Sequence, residues 1–301
     1  MTIHPSATGP QGLQSPGLPN AGLFAGTAFA SAALVFMVHP MRAKLVLPLL
    51  GGGPSVWNTS LAFFQIALLA GYAYAHLLQK LPTIRAQVLV HGAVLIAAAL
   101  ALPLRISDLA GPPSSDHPIL WLLAALGLAV GAPFAALSAT APIVQAWHAR
   151  TLGGTGAEPY ALYAASNLGS LIALIAYPIL VEPLSTLTAQ RMGWSAGYLG
   201  FVVLIVALGV LASRSRAPVD AGVAGAKAAP GGWRDRAGWL LLAALPSSLM
   251  LGVTTHLTTD VASAPFLWIV PLALYLVTFI IASQTKPAIH PQVTLVLHAG
   301  F

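Results

Sequence analysis

The sequence predicts an all-α fold, a polytopic transmembrane helical bundle of about eight complete spans plus a terminal stub. Three observations carry that expectation. Charged residues make up only 7% of the chain, against about 25% in a soluble domain. Mean hydropathy is +0.82 over 301 residues. Apolar runs of about 20 residues, the length a ~30 Å hydrocarbon core requires, recur along the chain and are joined by short polar or glycine-rich segments.

Residues 1–21 precede the first run. They are rich in Gly, Pro and Ser and hold no Lys or Arg, so they lack the basic start of a cleavable signal peptide and read as a disordered tail. The spans then follow in order. The first is Leu23 to Leu50, expected to kink near Pro40. The second is Ser55 to Gln79 and the third Ala86 to Leu104. The fourth runs from Ile119 to Trp147 and contains Pro133 and Pro142. The fifth is Tyr160 to Val181, the sixth Trp194 to Ala212, the seventh Trp239 to Thr255 and the eighth Phe266 to Ser283. The run that begins at Val293 is too short to span before Phe301.

Charge sets an expected orientation. With the N-terminus inside, nine of the 13 basic residues fall in inner loops, among them Lys80, Arg85, Arg150, Arg214, Arg234 and Lys286. The longest loop, residues 213–238, is rich in Ala, Gly and Pro, which is flexible-linker composition. It divides a first bundle of six spans (residues 22–212) from a partial second bundle (residues 239–301), as in two-bundle transporters. The halves share a weak repeat. The first span ends near His39 with Pro54-Ser55-Val56-Trp57 following, and the seventh ends near His256 with Pro265-Phe266-Leu267-Trp268 following.

Polar residues within the spans are the candidate functional residues, because charge and unpaired polarity are costly in hydrocarbon. The stretch HPMRAKLVLPLLGGGPSVWNTSLAFFQ places His39, Arg42 and Lys44 at the end of a membrane-length run. Two readings are open there, a functional site or two cations that snorkel to the headgroups. In the second span Asn58, Gln65, Tyr72, His76 and Gln79 share one helical face, and in the fifth Tyr163, Asn167, Ser170 and Tyr177 do so. In the fourth, Ser138 and Gln145 share a face, with Pro142 freeing a carbonyl nearby. These faces line a cavity or join helices by hydrogen bonds, worth about 0.6 kcal/mol each in membranes. His256 and Asp260 are spaced i, i+4 in a threonine-rich segment and could share a face and a proton or cation, or simply end a helix. Small residues every four positions, Ala161, Ala165, Gly169 and Ala173, and likewise Gly127, Gly131 and Ala135, predict close helix crossings. Glu182, beside Pro183, reads as a charge at the membrane interface.

Other chemistry is excluded. The absence of cysteine removes disulfides, thiolate metal sites and a cysteine nucleophile. The glycines at 153, 154 and 156 lie between spans with no Gly-Lys-Ser/Thr, and neither a Gly-x-Ser-x-Gly elbow nor a His-Glu-x-x-His helix is present. No basic patch interleaves with aromatics, so nucleic acid is not an expected partner. No catalytic residue, metal or cofactor is expected. The expected partners are the lipid bilayer and a small polar or ionic substrate.

Four stretches, HPMRAKLVLPLLGGGPSVWNTSLAFFQIALLAGYAYAHLL, LSATAPIVQAW, EPYALYAASNLGSLIALIAYPILVEPL and LPSSLMLGVTTHLTTDVASAPFLWIVPLALYLVTF, occur in that order. Together they resemble the membrane part of the bacterial fused major-facilitator-like/spermidine-synthase-like proteins, over about residues 22–283. That family usually has Gln-Pro where this chain has His39-Pro40. The resemblance implies a transporter-like membrane module of the bacterial inner membrane without the synthase-like domain. Its alternatives are an anchoring domain for such an enzyme in trans, or an inactive truncated product. In the two-bundle arrangement that the resemblance implies, His39, Arg42, Lys44, Asn58, Gln65, Asn167, His256 and Asp260 are expected to line one outward-opening polar cavity, with Asp260 paired to Arg42 or Lys44.

Overall fold

The computed structural model describes residues 21–51, 53–104, 111–113, 116–152, 160–214, 232–257 and 269–283. The expectations for the N-terminal tail, most of the linker, Asp260, Pro265 to Trp268 and the stub lie outside these residues. Every regular element among the described residues is helical. The spans are α1 (Ala21–Leu50), α2 (Pro54–Leu78), α3 (Ile84–Ala98), α4 (Pro118–Leu152), α5 (Tyr160–Leu184), α6 (Leu187–Ser213), α7 (Trp233–His256) and α8 (Ile269–Ala282). Seven of them, α3 counted with the turn that continues it to Ala101, are apolar and long enough to cross a membrane, and α8 is a shorter apolar helix. The chain is a multi-pass membrane protein.

Local sequence explains the ends and interruptions. Gly51 closes α1 at φ +72°, donating its N–H to the Leu47 carbonyl at 2.9 Å; a side chain would be strained there. Thr83 and Thr186 cap α3 and α6 by accepting the N–H groups of Ala86 and Ala189. Asp235 reaches back to the Gly232 N–H at 2.8 Å, so α7 starts at Trp233, six residues before the expected Trp239. The sixth span likewise begins earlier, at Leu187 rather than Trp194. The interruptions of α4 and α5 come from proline. Ala129 and Ile179, four residues before Pro133 and Pro183, both lie inside π turns, Gly127–Gly131 and Tyr177–Val181. The wider turn accommodates a carbonyl that the proline ring would otherwise crowd. The α4 helix is re-set again at Ala139, ahead of Pro142. By contrast α1 runs as one helix through Pro40 and Pro48.

The bundle is built around α1, which packs against α4, α5 and α6. Helix α2 lies on α4, α3 lies between α4 and α6, α8 lies on α5, and α7 packs along α8. One large core joins the first six spans, with Phe24, Met41, Phe134, Trp147, Tyr177 and Tyr198 fully buried. A small cluster of Leu174, Ile269 and Leu276 attaches α8. Lipid is as apolar as the core, so close packing and hydrogen bonds hold such helices together. A side chain at Gly169 would meet the Phe29 carbonyl, so this glycine sets the α1–α5 crossing. The expected crossing motif of α4 is only partly used. Gly127 has nothing within 4 Å, and the close approach there is made by Gly71 of α2 against the Ala135 carbonyl. Indole and phenol groups supply the polar links. Trp194 Nε1 donates to the Leu34 carbonyl at 2.9 Å, Tyr198 Oη to the Leu95 carbonyl at 3.0 Å, and Trp147 Nε1 to Gln87 Oε1 at 2.8 Å.

Candidate functional site

His39 and Arg42 are three residues apart on α1 and so share a face. That face meets α2 and α4 through aromatic rings. The His39 ring centroid lies 4.3 Å from Phe64 of α2 and 5.4 Å from Phe134 of α4. Its Nδ1 sits 2.9 Å from the Val35 carbonyl, which assigns the proton to Nδ1. The Arg42 guanidinium carbon lies 4.8 Å from the Phe64 ring centre and 5.9 Å from that of Trp57. Arg42 is 3% exposed, so it does not snorkel to the headgroups. Its Nε is buried with no hydrogen-bond partner, and no described carboxylate is within ion-pair range of it.

Lys44 points to the other side of α1. Its Nζ lies 2.7 Å from Glu182 Oε1 at the end of α5. Sequence reasoning gave Lys44 or Arg42 to Asp260 and left Glu182 as an interfacial charge. The structure pairs Lys44 with Glu182, because α5 crosses α1 at Gly169 and carries its C-terminal end to the level of Lys44. Asp260 lies outside the described residues. The second carboxylate oxygen of Glu182 is buried without a partner.

The polar faces divide. On α2, Asn58, Gln65, Tyr72 and His76 are all exposed, on the side away from the buried Phe64, Ala67, Gly71 and Ala75. On α5, Tyr163 is exposed and Asn167 is half-buried, its Nδ2 donating to the Tyr163 carbonyl at 2.9 Å. Tyr72 and Tyr163 lie within electrostatic range of each other. Ser170 and Tyr177 leave the α5 face for the core. Ser170 bonds the Ser166 carbonyl, and Tyr177 Oη donates to Gln190 Oε1 of α6 at 2.8 Å. Ser138 is also turned back, onto the Phe134 carbonyl. Tyr177 joins α5 to α6, whereas Ser170 and Ser138 bond carbonyls of their own helices.

His256 is exposed at the end of α7, which packs along α8 rather than along α1. The structure therefore groups His39 and Arg42, pairs Lys44 with Glu182, and sets Asn58 and Gln65 on an open face of α2. Trp57, Phe64, Phe134 and Glu182 were missed as site residues. Glu182 was the legible one, being one of only seven acidic residues in the chain and adjoining a span. No family model matches the chain, and no match was found to curated proteins or to solved structures.

Proposed function

We propose that the chain is a transporter-like membrane module that holds a small polar or ionic solute between α1, α2 and α5. We assign it, as the sequence resemblance implies, to the major-facilitator-like part of the fused spermidine-synthase-like proteins. In this reading it lies in the bacterial inner membrane with its N-terminus cytoplasmic. The observation that carries the reading is the open polar face of α2. Asn58, Gln65, Tyr72 and His76 run along a helix whose other exposed residues include Leu61, Ile66, Leu69 and Leu77. Polar groups at such depth turn toward protein or a water-filled cavity, not toward lipid.

The cysteine-free chain allows a direct test. Single cysteines at Gln65 and Tyr72 are expected to react with a water-soluble thiol reagent in intact membranes. Cysteines at Ile66 and Leu89, on exposed apolar surface, are expected to stay unreacted. Protection of positions 65 and 72 equal to that of 66 and 89 would remove the solute groove.

A second reading, an anchor for a synthase-like domain supplied in trans, is favoured by α7. This helix packs along α8 and leaves Leu240, Leu241, Leu242, Leu245 and Leu249 exposed, an apolar surface that a partner could cover. In both readings the membrane module itself is not the catalytic centre. The purified chain is expected to form no product from decarboxylated S-adenosylmethionine and putrescine, and measurable product would overturn that assignment.

A further inference from the structure

Around the second half of α1 the described residues bring together two cations and one anion. Lys44 and Glu182 satisfy each other at 2.7 Å. Arg42 remains, 3% exposed, with its Nε unpartnered. What it has instead is ring faces, Phe64 at 4.8 Å and Trp57 at 5.9 Å. Ring quadrupoles attract the charge but accept little from the N–H groups. A guanidinium has five N–H donors in one plane, in a fork that matches two oxygens of a carboxylate or phosphate. Among the described residues this group is buried without a counter-charge, and ionisable groups inside membranes pair or mark a solute path. His39, one turn earlier on the same face and near enough to feel the Arg42 charge, uses Nδ1 on the Val35 carbonyl. That leaves its Nε2 as the remaining polar atom of the ring.

We propose that Arg42 receives a small oxyanion, a carboxylate or a phosphate, at the α1–α2 face within the membrane span, with Trp57 and Phe64 holding the guanidinium in place. This places an anion on the Phe64 side of α2, around the helix from its open polar face, and rests on the reading of α1 and α2 as walls of the solute path. The shared chemistry is an oxyanion bound by a fork of N–H donors. A free solute and a lipid headgroup can both supply it.

The full chain in neutral detergent, followed by intrinsic tryptophan fluorescence during heating, separates the sources. Sodium acetate and sodium phosphate form one arm, and phosphatidylglycerol in the micelle the other, each against sodium chloride or a neutral lipid at matched ionic strength. A saturable rise in the unfolding midpoint of about 5 °C is expected in one arm. The responding arm identifies the source. Arg42→Gln should abolish the rise and Arg42→Lys should keep part of it, while Arg234→Gln, an exposed cation on α7, should leave it intact. Should Arg42→Gln fail to fold, Trp57→Phe serves in its place. The anion-dependent change in emission at 25 °C should be lost in Trp57→Phe although the rise in midpoint persists. No rise in either arm for the unmodified chain, or a full rise in Arg42→Gln, overturns the proposal. Reactive cysteines at 65 and 72 combined with no anion effect would sink the oxyanion and spare the groove.

Discussion

Lys44 of α1 and Glu182 of α5 form an ion pair with 2.7 Å between Nζ and Oε1, their side chains 35% and 25% exposed. The pair ties the C-terminal part of the bundle's central helix to the end of the helix that crosses it. Glu182 has a second oxygen buried without a partner, so it depends on Lys44 for its only described counter-charge. Removing the lysine alone should therefore cost more than removing both. Lys44→Gln is expected to lower folded yield in detergent more than Lys44→Gln/Glu182→Gln, with a coupling of about 1 kcal/mol. Lys44→Gln and Asp260→Asn are expected to be additive. Coupling of Lys44 to Asp260 in place of Glu182 would contradict the pairing.

The α1–α5 crossing depends on Gly169. Gly169→Ala places a methyl group against the Phe29 carbonyl, and helix backbone cannot yield as a flexible side chain would. A loss of about 1–3 kcal/mol is expected in detergent unfolding. Gly193→Ala in α6 has nothing within 4 Å and should be neutral or slightly stabilising. Equal effects of the two substitutions would show that the crossing is looser than described.

Gln87 links α3 to α4. Its Oε1 accepts from Trp147 Nε1 at 2.8 Å and its Nε2 donates to the Leu81 carbonyl at 2.9 Å. Gln87→Leu leaves the buried indole N–H unpaired, which costs about 1–3 kcal/mol. Trp147→Phe in the Gln87→Leu background should cost less than Trp147→Phe alone. Thermal unfolding of the four proteins closes the cycle, and strict additivity would refute the link.

Orientation is tested by labelling. With the N-terminus placed inside, nine of the 13 basic residues fall at the inner ends of the spans or between them, so the N-terminus and the linker are expected inside and the turn at Gly51 and Gly53 outside. Cysteines placed singly at Ser55 and Ala226 should be labelled by an impermeant reagent from outside at 55 and not at 226. The reverse pattern would invert the protein.

Much of the fold was legible in the sequence. Apolar length gave eight expected spans, of which seven are helices long and apolar enough to cross a membrane and the eighth is a shorter apolar helix. The glycine turn at Gly51 was legible, whereas the capping threonines Thr83 and Thr186 were not read. The early starts of α6 and α7 were missed because polar and charged first turns, such as Trp233-Arg234-Asp235-Arg236, look like loop when only hydropathy is read. The candidate site was legible as residue types in spans. Helical spacing put Asn58, Gln65, Tyr72, His76 and Gln79 on one face; the first four share an exposed face, while the Gln79 amide is buried. The same spacing joined Ser170 and Tyr177 to Tyr163, but those two point into the core, onto Ser166 and Gln190.

The sequence by itself determined that this is a multi-pass helical membrane protein, because the cost of bare backbone and charge in hydrocarbon acts on each segment independently. It also determined which spans carry polar atoms. Tertiary structure alone decided their partners: that Lys44 meets Glu182, that Arg42 is enclosed by Trp57 and Phe64, and that Gly71 rather than Gly127 lets α2 approach α4. Lipid offers a helix no apolar gradient that would fix its rotation. The setting of each helix therefore comes from small-residue contacts and single hydrogen bonds to neighbours far away in the chain, which no local periodicity records.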